Sequence, residues 1–215
     1  MIAGLEILTR VPMPGRVKTR LAPLVGEEGA AAVHEALAEA TFDLAAESGL
    51  VVTVHLDGDL DHPFAEAIRR RGFAVTPQVS GDLGARLRAA MAGPGRRLAL
   101  GTDCVTFDPA WLRVAAADPA PVVLGPAEDG GYWCLAVDAP CPALFTDIPW
   151  STPAVADATR AAASRAGLAV SDLPTCYDID APADLHRLVS DPACPPSLRS
   201  RLLPLLPQEF SRCPS

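Results

Sequence analysis

The chain has 215 residues, a net charge of −8 and an apolar fraction of 49%. Those values suit one folded domain with a proper core and exclude a disordered chain. The acidic balance argues against a wide nucleic-acid interface, which needs basic surface to displace counterions. It leaves room for one small nucleotide at a local basic loop.

In chain order, residues 3–9 (AGLEILT) predict a first strand that runs into the Pro/Gly loop Val11-Pro12-Met13-Pro14-Gly15. Residues 27–48 carry a long, Ala-rich helical periodicity that stops at Gly49, a C-cap glycine. A buried strand is expected at 50–56, a helix near 62–71, a short strand at 73–76 and a helix over 81–91. Residues 97–102 (RLALGT) form a strand that delivers Asp103 at its end. A helix follows over 109–117. Strands are expected at 121–124 and, after the sharp Asp129-Gly130-Gly131 turn, at 131–137. A helix over about 153–166, a strand at 168–172 and a helix over 182–190 complete the alternation. The tail predicts a short helix, Pro196–Leu206, with Leu202, Leu203, Leu205 and Leu206 exposed and suited to a partner, as in a homodimer. Residues 1–190 are expected to form the domain, with 191–215 an extension packed on it.

Strands alternating with helices predict an α/β fold with a mixed, mainly parallel sheet covered on both faces. In such sheets ligands bind beyond the carboxyl ends of the strands. The six cysteines (104, 134, 141, 176, 194 and 213) form no CxxC pair, and the four histidines show no zinc spacing. They are read as reduced thiols that fill small buried spaces. No signal-peptide layout and no spanning apolar run are visible, so a cytoplasmic protein without membrane contact is expected.

The segment Arg10–Leu21 (RVPMPGRVKTRL) places Arg10, Arg16, Lys18 and Arg20 within eleven residues of a net-acidic chain. Gly15 permits positive φ and close backbone approach. Arginine offers a planar fork to phosphate oxygens and lysine a point charge. Lys18 is the only lysine in the chain, which suggests that a compact ammonium is needed there. No Walker A or GxGxxG pattern occurs. A solvated basic turn is the competing reading.

Asp103 ends a strand, and Asp178 and Asp180 flank Ile179. In extended backbone, residues i and i+2 point to one side, so the pair needs a cation between its carboxylates. Mg2+ (or Mn2+) fits, because it prefers oxygen ligands, phosphate oxygens included. Alternatively, Asp180 caps the helix that opens at Pro182, with Asp184 a solvated first-turn carboxylate. Likewise Asp82 can be a helix N-cap, Gly130 and Gly131 can serve only a tight turn, and Tyr132 and Trp150 can be packing residues.

The motifs Pro14–Leu21, Gly81–Arg86, Gly101–Cys104, Asp129–Tyr132, Pro149–Thr152 and Asp178–Asp180 occur in an order that resembles the bacterial DUF2064 family. Its members are often labelled selenodomain- or arsenosugar-associated transferases or glycosyltransferases. The Lys-Thr-Arg-Leu loop and the Asp178–Leu185 segment are similar, more distantly, to phospholactate and phosphoenolpyruvate guanylyltransferases. The resemblance covers residues 3–190 and implies the GT-A, nucleotide-diphospho-sugar transferase fold. It implies nucleotide binding by Arg10, Gly15, Lys18, Arg20, Gly81, Asp82 and Gly84. Metal would sit on Asp103, Asp178 and Asp180, with Lys18 and Asp103 catalytic. The acceptor would meet Asp129, Gly130, Gly131, Tyr132, Trp150 and Thr152. Two positions depart from the family pattern: Arg10 replaces the usual lysine, and Val105 the usual proline.

Two reactions fit these residues. A nucleoside triphosphate can donate a nucleotidyl group to a small phosphorylated or acidic acceptor, which is already ionised and needs no protein base, with release of pyrophosphate. Alternatively, a nucleotide-sugar can donate its sugar, with Asp129 as the acceptor base. A non-catalytic nucleotide-binding module would need fewer charges around one phosphate.

Overall fold

The computed structural model describes residues 3–207. Seven strands form one sheet: β1 (Gly4–Arg10), β2 (Val51–Asp57), β3 (Ala74–Pro77), β4 (Arg97–Leu100), β5 (Val122–Pro126), β6 (Tyr132–Val137) and β7 (Val170–Asp172). Their order is β3-β2-β1-β4-β6-β5-β7. Only β6 is reversed, pairing antiparallel with both β4 and β5. Its direction follows from the Asp129-Gly130-Gly131 turn, because only antiparallel neighbours can be joined by so short a connection. Ala127 N donates to Gly131 O at 3.0 Å to close that turn.

Both faces of the sheet are covered, as the apolar runs require. On one face α1 (Ala22–Ser48), α2 (Pro63–Arg70) and α4 (Pro109–Ala117) bring Phe42, Phe64, Ile68 and Leu112 against Leu5, Val54 and Leu98. On the other, α3 (Leu83–Ala90) and α5 (Val155–Arg165) bring Leu87, Ala162 and Ala163 against Val122, Leu124 and Leu135. Glu6 is the polar exception at the middle of β1. It is buried, but Arg97 Nη1 and His55 Nε2 each lie 2.8 Å from its carboxylate, so its charge is paired rather than orphaned.

Helix α1 is interrupted at Gly26 (φ 76°), so its regular part begins at Glu27, and Gly49 (φ 72°) ends it. Its alanines let it be buried on two sides. Ala38, Phe42 and Ala45 face the sheet. Val33, Leu37 and Ala40 face α6 (Pro182–Ser190) and α7 (Pro196–Leu202). This corrects the expectation of an exposed leucine tail. Leu202 and Leu206 are buried in that second cluster, Leu205 packs against it, and only Leu203 is exposed. Burying a leucine side chain is worth about 1.5–3 kcal/mol, and α1 offers the surface for it. The α-helix stops at Leu202 and tightens to a 3-10 turn over Leu203–Leu205, since Pro204 has no N–H to continue it.

Cys104, Cys134, Cys176 and Cys194 are buried free thiols and Cys141 is half-buried. Cys213 lies outside the described residues. No helix among the described residues is long and apolar enough to cross a membrane.

Candidate active site

A cleft of about 1100 Å³ opens beyond the carboxyl ends of β1 and β4. The chain leaves β1 towards β2 and β3 on one side and returns to β4 on the other, the switch point where open α/β sheets bind ligands. Sites for one small molecule usually span about 300–1,000 Å³, so this cleft has room for a nucleotide and a second reactant.

Lys18 lies at its base. The residue takes a left-handed conformation (φ 44°, ψ 39°) at the entrance to a 3-10 turn over Thr19–Leu21, whose Leu21 N donates to Lys18 O at 2.8 Å. The turn aims the side chain inward, leaving it only 5% exposed. Its Nζ lies 2.5 Å from Asp103 Oδ1, 2.9 Å from Asp180 Oδ1 and 2.5 Å from Ile179 O. Burial works against the charge, but the carboxylates of Asp103 and Asp180 outweigh it and raise the ammonium above its ordinary value.

The Cys176–Asp180 segment runs between the two loops that follow β4 and β5. Cys176 N donates to Pro126 O (3.1 Å), Glu128 N to Cys176 O (2.9 Å) and Ile179 N to Asp103 O (2.9 Å). Ile179 is fully buried, which leaves the aspartates on either side of it lining the cleft. The helix-capping alternative for Asp180 gives way to Asp184. Its Oδ2 accepts from Ala181 N (2.7 Å) and Asp180 N (3.1 Å), so Asp184 is a cap rather than a merely solvated carboxylate.

Asp178 accepts no hydrogen bond from any described residue. Burial, then the carboxylates of Asp129, Asp103 and Asp180, push it up to about 7, against the pull of Lys18. A carboxylate so short of positive charge fits an oxygen-seeking divalent cation. The three aspartates nevertheless form no closed cage. Among the described residues no three His, Cys, Asp or Glu side chains stand ready around one metal position, and Lys18 lies between two of the expected ligands. A cation there would need phosphate or water oxygens to complete its shell.

One wall of the cleft is basic. Arg10 Nε lies 3.3 Å from Asp57 Oδ2, and Arg86 Nη1 lies 2.9 Å from the same oxygen and 3.1 Å from Gln78 Oε1. Gln78 Nε2 in turn donates to Thr9 O and His55 O, tying the ends of β1 and β2. Arg20 is 77% exposed and only loosely paired with Asp180 at 3.8 Å. Arg16, Gly81 and Asp82 also line this wall, and Asp82 caps α3 by accepting from Ala85 N at 2.8 Å. Gly15 (φ 72°) and Gly84 are not on the lining. Gly15 serves the turn. A Cβ at Gly84 would come within 2.4 Å of Trp150 Nε1, so this glycine lets the indole pack on α3.

His34 of α1 closes the floor of the cleft. Its Nε2 lies 3.0 Å from Arg10 O and 3.4 Å from Thr9 Oγ1, and Thr9 Oγ1 lies 3.1 Å from Thr102 Oγ1. Arg10 O can only accept, so Nε2 carries the proton. Burial lowers the imidazole pKa. The sequence reading missed Asp57, Gln78 and His34 as parts of the site, whereas Arg86 closes the Gly81–Arg86 motif that was expected to border the nucleotide. Asp57 carried a usable signal, since it ends a strand as Asp103 follows one.

The opposite wall is built by the β5–β6 turn and the segment before α5. Asp129, Gly131, Tyr132, Trp133, Trp150, Ser151, Thr152, Pro153 and Val155 line it. Asp129 Oδ1 accepts from Gly131 N at 2.8 Å, which fixes the turn. Gly130 (φ 88°) lies behind it, where a Cβ would sit 2.0 Å from Pro153 O. Its carbonyl accepts from Ala156 N at 2.9 Å. Thr152 Oγ1 donates to Pro149 O at 2.7 Å. No lysine, arginine or histidine lies on this wall among the described residues. The nearby Arg187 is engaged by both oxygens of Glu128, at 2.6 and 2.8 Å, and stacks over Tyr177.

Solved structures share this fold. A Desulfovibrio desulfuricans G20 protein, provisionally assigned as a nucleotide-diphospho-sugar transferase, superposes with a TM-score of 0.85 at 26% identity over 95% of each chain. The inositol-1-phosphate CTP transferase from T. maritima gives 0.61 at 12% identity, over 95% of this chain and 96% of that one. Rv0371c from Mycobacterium tuberculosis H37Rv, in a complex with manganese, gives 0.53 at 19% identity, over 88% and 98%. The fold is thus the GT-A-like fold of nucleotidyl and nucleotide-sugar transferases. No curated protein matches the sequence. A family model described as an uncharacterized protein conserved in bacteria (DUF2064) matches residues 40–152, which hold Asp103 and most of the opposite wall but not the Lys18 loop or Asp178 and Asp180. That match spans more than half of the chain, and the chain belongs to the DUF2064 family.

Proposed function

We propose that the protein is an enzyme that transfers a nucleotidyl group from a nucleoside triphosphate to a small acceptor, assisted by Mg2+ or Mn2+, with release of pyrophosphate. One observation carries the reading. Four cations of one loop and three carboxylates from two distant segments meet at the strand ends, with Lys18 joining Asp103 to Asp180. Arg10, Arg16 and Arg20 would receive the polyphosphate of the triphosphate. Asp103, Asp178 and Asp180 would hold the divalent cation, which would supply positive charge to offset that of the phosphates. An acceptor oxygen on the opposite wall attacks the α-phosphorus as the bond to pyrophosphate breaks, and the arginines hold the leaving group in line. Incubation with each triphosphate, Mg2+ and pools of small phosphorylated acids and polyols should release pyrophosphate with one combination. Silence from all of them would overturn the reading.

A second reading, glycosyl transfer from a nucleotide-sugar, is favoured by the acceptor wall. An ionised acceptor meets no cationic side chain there, whereas a neutral hydroxyl can lose its proton to Asp129. The relative at 26% identity supports it as well. This reaction would release a nucleoside diphosphate and no pyrophosphate, and Asp129→Asn would abolish transfer with nucleotide affinity intact.

A further inference from the structure

An ammonium group has three N–H donors and no more. In Lys18 all three have acceptors: Asp103 Oδ1, Asp180 Oδ1 and Ile179 O. In this state the lysine has no N–H left for a phosphate, although the loop around it is built for one. It also places a positive charge against two of the three carboxylates that would receive a divalent cation. Two cations sharing those oxygens repel: Lys18 is nearly buried, and the half-exposed carboxylates leave open the side from which a second cation would come. Asp178, the third carboxylate, is left without a donor among the described residues.

We infer that Lys18 is the exchangeable counter-ion of this site. It holds Asp103 and Asp180 in place of the divalent cation until a metal–polyphosphate complex arrives, and it then passes to a phosphate oxygen. The ligand that the protein recognises is therefore the metal–nucleotide complex rather than either component alone. The inference rests on the nucleotide reading above for its ligand, but not for the exchange of cations. No bond is made or broken covalently; one ammonium leaves two carboxylates as one divalent cation reaches them. The left-handed backbone of Lys18, uncommon outside glycine, is held by these contacts and by the Leu21 hydrogen bond.

Manganese binding to the full chain tests this, read from the electron paramagnetic resonance of free Mn2+. Wild type should bind Mn2+ alone weakly, and Lys18→Met should bind it at least tenfold more tightly. Adding ATP, CTP, GTP or UTP in turn should tighten Mn2+ binding to wild type at least tenfold with one of them, and should add little to the variant. Unchanged or weaker Mn2+ affinity in Lys18→Met overturns the exchange. If no nucleotide helps wild type while the variant still gains, the exchange stands and the nucleotide reading falls. A second measurement covers a variant that fails to fold. Because Lys18 is the only lysine, acetylation of its peptide in wild type reports one side chain. Saturating Mn2+ should raise its labelling several-fold, and unaltered labelling would overturn the exchange independently.

Discussion

The two walls of the cleft are held in different ways. On the basic wall, side-chain charges hold one another: Arg10 and Arg86 share Asp57, and Lys18 joins Asp103 to Asp180. On the opposite wall, backbone does the holding: the Asp129–Gly131 turn, the Gly130–Ala156 hydrogen bond and the close approach of Gly130 to Pro153. Ion pairs can reform around an incoming ligand, because each partner keeps its charge and can change neighbour. A backbone contact at van der Waals limits has no such latitude. The basic wall is thus suited to a ligand that replaces internal partners, and the opposite wall to one that fits a fixed surface.

The largest break in this contrast should come from Lys18→Met, which is expected to lower turnover by about 10²–10³-fold, measured as pyrophosphate release. Lys18→Arg should not restore it, because a planar guanidinium cannot serve three acceptors arranged around one nitrogen. On the other wall, Gly130→Ala should act on stability rather than chemistry. A Cβ 2.0 Å from Pro153 O, at φ 88°, is expected to destabilise by about 2–4 kcal/mol in urea unfolding. A glycine-like midpoint would show that this turn has more freedom than the contrast allows.

Asp57→Asn sharpens the picture of the basic wall. Releasing Arg10 and Arg86 from a half-exposed carboxylate should tighten nucleotide binding by no more than about fivefold, the range of a solvent-screened ion pair. Titration calorimetry at two salt concentrations would check it. The smallest effect concerns His34. Burial lowers its pKa, so it resists protonation in the folded protein while the unfolded chain takes up a proton. Its contribution is fully present above about pH 6.5 and is lost as pH falls from there through the lower folded value. His34→Gln keeps an N–H for Arg10 O without titrating. Between pH 7.5 and 5 its urea midpoint should fall less than that of wild type.

Much of the architecture was legible because local signals agreed with it. Helices α4 and α6 match their expected bounds, each with proline in its first turn, and Gly49 closes α1 as a C-cap should. The reversal of β6 was implicit in the Asp129-Gly130-Gly131 turn. Lys18, Asp103, Asp178 and Asp180 were legible as a group because strand ends and the alternation around Ile179 bring them to one place. What local pattern could not tell was who would partner whom. Lys18 meets Asp180 across 162 positions, and Arg86 meets Asp57 across 29. Such pairings depend on sheet order. Gly84 was expected among the nucleotide-binding residues, but it lies off the cleft lining and its missing side chain serves Trp150. Leu202 and Leu206 read as exposed because the second apolar side of an Ala-rich helix is hard to see in a sequence.

Ile179 is pinned through its backbone. Both of its main-chain polar groups are engaged, the N–H by Asp103 O and the C=O by Lys18. The main-chain positions from which the two carboxylates project are therefore held against the loop after β4. Any shift of that residue would carry both aspartates and the lysine's anchor with it. The cleft floor should accordingly move as a single plate, and exchange of the Ile179 amide with deuterium should slow in step with that of its neighbours rather than separately.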